Sequence, residues 1–339
     1  MNFSFRRYWS IFETRNREFY RDLGALGWVF LFPFLMVIGF NYLFNLDDNE
    51  FYKVGMVGKG SHFASPLVQE VSFEDLSHAQ NKLRYHKIDA IIDYRGEKPE
   101  IWLNQGSVKS KIVWKILLGE QFSQEANQYL IREVEGQKVR YVEWLLPGLI
   151  SFNMVWMALW GVGWVVVRHR KLGILKRLKS SPVTAFEYLL AQISSRLLVL
   201  IGSGVVVFAG SYLIHPYPIR GSLVDLFFLY SLGCFCHCGL GLIVAARISS
   251  EELANGILNL LTYPMMFLSE IWFSLEGSPE WVKTLSQFMP LWHMCDGMRR
   301  ILYEGATLGQ MSSSLVLFGI VAALGLFLGS LTFRWQSER

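Results

Sequence analysis

Long apolar runs constrain the fold of this chain more than any other feature of its sequence. Residues 24–44 and 147–167 contain no charged side chain, and each run can cross the roughly 30 Å apolar core of a bilayer as a helix. The chain is 52% hydrophobic and only 18% charged, which is too apolar for an ordinary soluble protein. We therefore predict a membrane all-α fold with six transmembrane helices. The predicted spans are residues 24–44, 147–167, 189–214, 226–246, 253–273 and 313–333.

The segment between the second and third spans predicts which side of the membrane faces the cytoplasm. This segment, residues 168–188, carries six basic residues, and its one acidic residue is Glu187 near the end. Short basic loops stay on the cytoplasmic side. Six spans put both termini on that same side, and the arginine-rich N-terminus agrees. We predict a multi-pass protein of the bacterial cytoplasmic (inner) membrane. Arg196, the one charge in the third span, is expected to extend toward the cytoplasmic surface.

Residues 1–23 predict a cytoplasmic interfacial helix. Aromatic side chains recur at roughly helical spacing, and arginines occupy the other faces. Helices of this composition lie among the lipid headgroups. A solvated basic tail is the alternative interpretation.

Residues 45–142 predict a small α/β domain inserted between spans one and two, outside the cytoplasm. Charged residues return there, and the hydrophobic period changes to strand-like and helix-like patterns. Glycines and a lysine within residues 55–61 lack the spacing of an ATP-binding phosphate loop. The transmembrane domain with spans two to six covers residues 143–339. Within the inserted domain, residues 52–58, 88–94 and 98–105 predict strands, and residues 73–87 and 110–136 predict helices.

Residues 264–304 are too polar to span a membrane and too apolar for an ordinary loop. Prolines divide them, so we predict short re-entrant helices before the last span. Glu270 interrupts an apolar stretch, and a carboxylate at membrane depth needs water, a cavity or a partner. Two interpretations stay open. Glu270 lies at the interface where the fifth span ends, or it is a polar point on a translocation path or the ion-pair partner of Arg299 or Arg300.

Two stretches resemble the ABC-2 type transporter permeases, in the larger form with an extracytoplasmic domain after the first span. Residues 168–192, RHRKLGILKRLKSSPVTAFEYLLAQ, resemble the basic segment after that family's second span, with Ile174 where threonine is common. Residues 263–302 are similar to its segment before the last span, with Glu270 where glycine is usual and Ser274 where proline is common. The matching residues are Gly173, Leu175, Arg177, Leu178, Ser181, Pro182, Pro264, Phe267, Leu268, Ser269, Leu275, Pro279, Trp281, Pro290 and Arg299.

The resemblance implies the membrane-spanning subunit of an exporter, with no ATP site of its own and no enzymatic activity. It implies a second permease subunit, as a homodimer or heterodimer, and two copies of an ABC ATPase subunit that bind ATP and Mg. A coupling helix at residues 171–180, with Leu172, Leu175 and Leu178 on one face, would dock on the ATPase. The expected coupling residues are Arg170, Lys171, Leu172, Gly173, Ile174, Leu175, Lys176, Arg177, Leu178, Ser181 and Pro182. The expected residues of the translocation path and re-entrant segment are Pro264, Glu270, Trp281, Pro290 and Arg299.

Aromatic spans with few charges favour an amphipathic, drug-like or lipid-like substrate, moved out of the cytoplasm or the inner leaflet, over a bare ion. Membrane lipid is a further expected partner. The outside domain could also meet a periplasmic adaptor in a cell with two membranes. The modest net charge of +4 gives no reason to expect nucleic acid.

Three other interpretations of the sequence have less support. Cys234, Cys236 and Cys238 do not share one face of a helix, so no metal site is predicted. His293 and Asp296 suggest a membrane-embedded transferase or hydrolase, but neither a nucleophile elbow nor an HExxH motif accompanies them. A membrane-anchored scaffold or receptor, acting through its outside domain, would not need a basic helical loop.

Overall fold

The computed structural model describes residues 3–43, 52–58, 68–96, 98–120, 130–134, 141–214 and 216–336. The chain divides into two compact units. The helical unit comprises Met1–Asn41, Leu145–Trp272 and Thr284–Arg339, and the sheet unit comprises Tyr42–Trp144 and Phe273–Lys283.

The described elements follow one another in this order: α1 (Phe5–Arg21), α2 (Leu23–Leu43), β1 (Tyr52–Val57), β2 (Val68–Phe73), α3 (Leu76–Arg84), β3 (Ala90–Asp93), β4 (Glu100–Asn104), α4 (Val108–Glu120), β5 (Leu130–Val134), α5 (Tyr141–Ala158), a π-helix (Leu159–Trp164), α6 (Val165–Lys171), α7 (Ile174–Lys179), α8 (Ala185–Ile214), α9 (Leu223–Ala245), α10 (Glu251–Leu268), α11 (Glu280–Gln287), α12 (Pro290–Arg299), a π-helix (Arg300–Glu304), a 3₁₀-helix (Leu308–Met311) and α13 (Ser312–Leu331).

Four helices of the described chain are long and apolar enough to cross a membrane, which makes this a multi-pass membrane protein. A fifth crossing results if Phe5–Arg21 and Leu26–Gly39, which meet at 60°, count as one bent span. By length and composition, the described helices therefore provide four or five crossings and not the predicted six. The predicted fifth span at 253–273 is α10, which begins with two glutamates and ends at Leu268. The four spanning helices are Glu143–Lys171, Ala185–Ile214, Leu223–Ala245 and Leu308–Leu331.

The sheet unit contains a five-stranded mixed sheet in the order β2-β1-β3-β4-β5. Strand β1 pairs in parallel with β2 and β3, β3 pairs antiparallel with β4, and β4 pairs in parallel with β5. Successive residues of a strand point to opposite faces, so the sheet has an apolar core on each side. One core includes Val54, Ile92 and Val113 of α4, and the other includes Leu83 of α3 and Ile91.

The predicted helix at residues 110–136 is wrong at residues 130–134; residues 121–129 and 135–136 of this prediction lie outside the described residues. Helix α4 ends at Glu120, and residues 130–134 form strand β5. Each residue of β5 is registered against β4, from Glu100 with Leu130 to Asn104 with Val134. The hydrogen bonds offered by an unpaired sheet edge override the local helical pattern.

Three polar side chains attach residues 273–283 to the sheet unit. Lys53 Nζ donates to Ser274 O at 2.6 Å, and Gln69 Nε2 donates to Gly277 O at 3.2 Å. Lys82 forms an ion pair with Glu276. Burial alone would raise the pKa of Glu276, but the hydrogen bond and charge of Lys82, together with the charges of Lys283 and Lys87, lower that pKa.

Helices α9 and α13 approach most closely where glycine faces glycine. A Cβ atom at Gly325 would lie 2.5 Å from the main chain of Gly239. A Cβ atom at Gly239 would lie 3.1 Å from Cα of Ala322. Small residues allow this close contact between helix backbones, as they do at many membrane helix interfaces.

Gly325→Ala is expected to lower the melting temperature of the purified protein in detergent. The added methyl group would overlap the Gly239 main chain, and overpacking costs roughly 1–3 kcal/mol. Gly319→Ala on the same helix is the matched control, because nothing lies within 4 Å of its Cβ position. The control should keep or slightly raise the melting temperature. Equal melting temperatures for the two variants would contradict the close contact.

Candidate docking loop and re-entrant segment

The basic loop consists of two short helices. Helix α6 ends at Lys171, and Gly173 then adopts φ 73° before α7 begins at Ile174. Glycine takes this left-handed conformation without steric cost, which explains the break. The predicted coupling helix at 171–180 is therefore shorter than expected, and Leu172 lies in the turn.

Two of the predicted coupling residues hold the loop against the rest of the helical unit. Arg170 is buried and donates from Nε to Arg334 O at 2.8 Å and from Nη2 to Ala246 O at 3.1 Å. Its Nη1 also donates to Ile248 O. Leu175 is fully buried. These side chains anchor the loop and are not available to a partner.

The other side chains of the loop divide into exposed and partly buried groups. Leu172 and Ile174 are 59% and 37% exposed. Leu178 and Ser181 are partly buried, and Ser181 Oγ donates to Leu178 O at 2.6 Å. The predicted shared face of Leu172, Leu175 and Leu178 is wrong, because Gly173 turns the chain between the first two. We define the docking surface as Lys171, Leu172, Ile174, Lys176, Arg177 and Lys179, all of which are exposed.

A buried glutamate fixes the chain downstream of the loop. Glu187 accepts from Arg7 Nη2 at 2.7 Å, from Ser4 N at 2.6 Å and from Thr184 N at 2.8 Å. Thr184 Oγ1 in turn accepts from Glu187 N at 3.2 Å. This is a capping box at the start of α8, and it also binds the beginning of α1. The spacing Thr184-x-x-Glu187 is a sequence signal for such a box that the predictions above do not include.

Glu270 and Arg299 come together in the segment that was predicted to be re-entrant. Glu270 is buried directly after α10, and Arg299 Nη1 lies 3.8 Å from its Oε2. Arg299 Nη2 also donates to Glu270 O. Arg300 pairs instead with Asp296 at 3.8 Å. Glu270 has φ 53°, a conformation that glycine adopts more easily than other residues. This agrees with the glycine that is usual at this position in the permease pattern described above.

The other residues predicted for this segment lie apart. Pro264 is inside α10, and Pro290 begins α12, where its missing N–H costs no hydrogen bond. Trp281 is on α11, is 69% exposed and belongs to the sheet unit. Of the five residues predicted for this segment, the structure thus brings only Glu270 and Arg299 into contact with each other.

The side chains considered for other chemistry have ordinary structural contacts. Cys234, Cys236 and Cys238 are buried free thiols, and the described part of the chain contains no group of three or more His, Cys, Asp or Glu that could hold a metal. The ring of His293 contacts Ser314 Oγ at 2.9 Å and Gln287 O at 2.7 Å. These contacts do not form the pair with Asp296 that an acid–base site would need.

Comparisons with known proteins match the central part of the chain. The family model described as ABC-2 type transporter matches residues 101–303. The chain is 23% identical over 189 residues to the probable multidrug ABC transporter permease YbhR of Escherichia coli (strain K12), covering 56% of this chain and 51% of YbhR. It is 29% identical over 156 residues to the inner membrane transport permease YhhJ of the same strain, covering 45% and 41%. The matches span about half the length of these curated relatives.

Arg170→Ala is expected to destabilise the helical unit, because three main-chain carbonyls lose their charged donor. We expect a loss on the order of 3 kcal/mol. The melting temperature in detergent measures it. Lys171→Ala is the control: this neighbouring side chain is 52% exposed, and its contact with Glu251 at 3.7 Å is worth at most about 1 kcal/mol. Equal losses in the two variants would rule out the anchoring role of Arg170.

Arg299→Leu is expected to cost about 3–5 kcal/mol, because it removes the guanidinium group that faces the buried Glu270 carboxylate. The double variant Glu270→Gly with Arg299→Leu should recover at least half of that loss. Glycine accepts φ 53°, and no buried charge then remains. A double-mutant cycle tests this by comparing the melting temperatures of Glu270→Gly, Arg299→Leu and the double variant. If the losses of the two single variants simply add up in the double variant, the two side chains do not interact.

Proposed function

We propose that this chain, which belongs to the ABC-2 type transporter family, is the permease subunit of an ATP-driven exporter whose ATPase is a separate protein. The observation that carries the proposal is the docking surface. Four cationic and two aliphatic side chains project from a loop that Arg170 and Leu175 anchor to the spanning helices. Such a surface fits an acidic groove with an apolar floor on a partner protein.

In the proposed complex, two permease subunits bind two ATPase subunits, and ATP and Mg are held by the ATPases. Closure of the ATPase pair would push on the docking surface. The anchored loop would pass that movement to α6 and α8, because Arg170 holds its upstream end and the Thr184–Glu187 capping box holds its downstream end. Rigid attachment at both ends favours transmission of movement over local deformation.

The remaining parts of the proposal concern topology and cargo. We propose six crossings, made by the four spanning helices together with α2 and α10, with both termini in the cytoplasm and the sheet unit outside.

The names of YbhR and YbhS, the latter 24% identical over 162 residues, are those of probable multidrug permeases in Escherichia coli (strain K12). They support an amphipathic, drug-like or lipid-like cargo. The sheet unit would be the part available to a periplasmic adaptor.

Leu172→Asp combined with Ile174→Asp is expected to uncouple the transporter without unfolding it. Both side chains are exposed, so the free subunit loses little packing. Burial of each against a partner is worth about 1.5–3 kcal/mol, so the double variant should weaken ATPase binding by at least about tenfold. The measurements are co-purification of the ATPase and permease-dependent ATP hydrolysis in nanodiscs.

Ser180→Asp is the control for the added negative charge, since it lies in the same loop and is exposed but removes no aliphatic contact. It should keep most of the coupling. If the double aspartate variant binds and stimulates the ATPase as the wild type does, the docking surface is not the coupling element.

A further inference from the structure

The helical unit contains a cavity of about 510 Å³ between α1, α2, the second span and α8. Its wall is largely aromatic, and four of the twelve tryptophans of the chain line it. Tryptophan offers a flat apolar surface to a ligand together with one N–H donor. The four are Trp28, Trp156, Trp160 and Trp164. A cavity of this volume can hold a drug-sized molecule or part of a lipid.

The wall is built on an irregular stretch of the second span. Residues 159–164 form a π-helix, a distortion that occurs frequently at functional sites. The rings of Trp156 and Trp160 stack with their centroids 4.1 Å apart, and Trp160 Nε1 donates to Asn255 Oδ1 at 2.9 Å. These contacts hold the aromatic wall in place without a ligand.

An arginine in the third span completes the cavity. Arg196 Nε donates to Met157 O at 2.7 Å, and its guanidinium lies 5.5 Å from the ring centroid of Phe19. The side chain thus turns toward the second span. Gly161 makes room for it, because a Cβ atom there would lie 1.9 Å from Arg196 Nε. No carboxylate in the described chain pairs with Arg196. An intramembrane arginine without a counter-ion is expensive unless it has a functional partner.

The other charges of the cavity leave it net positive. Arg168 also lines it, lies 5.1 Å from the ring centroid of Trp164 and has no carboxylate partner among the described residues. Arg15 is neutralised by Glu18 at 2.7 Å. Asp22 is the one further carboxylate, so three arginines face two acids. The indole N–H groups of Trp156 and Trp164 have no hydrogen-bond partner in the described chain.

We propose that this cavity binds the anionic end of an amphipathic molecule. A phosphate, sulfonate or carboxylate group would lie between Arg168 and Arg196, and the apolar body would pack on the tryptophans. Planar guanidinium groups suit such oxyanions, because their N–H donors match the geometry of the oxygen atoms and form charged hydrogen bonds with them. The ligand is an acidic membrane lipid or an anionic amphipathic cargo. Only the cargo alternative rests on the proposed export function.

The test measures lipid retention by native mass spectrometry of the full chain, without any ATPase. Wild type should retain phosphatidylglycerol over phosphatidylcholine by at least about tenfold, which is the effect of one charged hydrogen bond. Arg168→Gln and Arg196→Gln should each lose most of that preference, and Arg196→Lys should keep part of it. Arg220→Gln is the control, because Arg220 is exposed and does not line the cavity.

An unchanged preference in both glutamine variants would overturn the proposal. Arg168→Gln decides the matter if Arg196→Gln fails to fold, since the Arg168 side chain is exposed and its removal opens no packed core. Loss of the preference in Arg220→Gln as well would also overturn it, because the effect would then be one of general surface charge.

A second measurement distinguishes the two sources of the ligand. Anilinonaphthalene sulfonate, an aromatic anion, should displace phosphatidylglycerol from the wild type and not from Arg168→Gln. If it also stimulates ATP hydrolysis by the reconstituted complex, the site takes cargo; displacement without stimulation assigns the site to lipid. The Leu172→Asp and Ile174→Asp variant should retain phosphatidylglycerol normally. A failure of docking is thereby separated from a failure of the cavity.

Discussion

The structure depends on one constraint: a main-chain carbonyl freed by a break in a membrane helix must find another donor. Arginine side chains donate to main-chain carbonyls at three interruptions, and at the first of them Arg334 N donates to Ala246 O as well. Arg170 donates to Ala246 O just after α9, Arg196 donates to Met157 O beside the π-helix, and Arg299 donates to Glu270 O after α10. The docking surface, the cavity and the Glu270–Arg299 site each lie beside one of these arginines. The functional candidates therefore coincide with the places where regular helix cannot continue.

The same constraint decides which basic residues of the loop can meet a partner. Arg168 and Arg170 are two positions apart, yet one is exposed beside Trp164 and the other is buried against three carbonyls. On a helix such neighbours point to different faces. Their charge is identical, so a count of basic residues places both on the cytoplasmic side of the membrane. The count does not distinguish a residue that anchors the loop from one that is free to meet a partner or a ligand. The distinction required the end of α9 and the C-terminal segment, which are distant in sequence.

Local pattern was enough for much of the fold. Strands β1, β3 and β4, helix α3 and the long spanning helices follow from periodicity and apolar length alone. Strand β5 did not, because it exists through its pairing with β4. Residues 273–283 join the sheet unit through long-range contacts that include those from Lys53, Gln69 and Lys82. The Glu270–Arg299 pair was one of two open interpretations, because local sequence pattern does not show which of two residues 29 positions apart are in contact. The capping box at Thr184, in contrast, is predictable from the Thr184-x-x-Glu187 spacing alone.

One continuous helix connects the proposed docking surface to the proposed ligand cavity. Glu143–Lys171 carries Trp164, Arg168 and His169 in the cavity wall and ends at the first residue of the docking surface. His169 is held to α8 by a 2.8 Å contact with Tyr188 Oη. Because α6 is a regular helix, a displacement of Lys171 cannot be absorbed before it reaches Arg168, less than one turn away. The π-helix that follows toward the membrane is the first place where that movement could change the helix register. Force applied at the loop would then alter the spacing of Arg168 from Arg196, the two groups that would hold the anion.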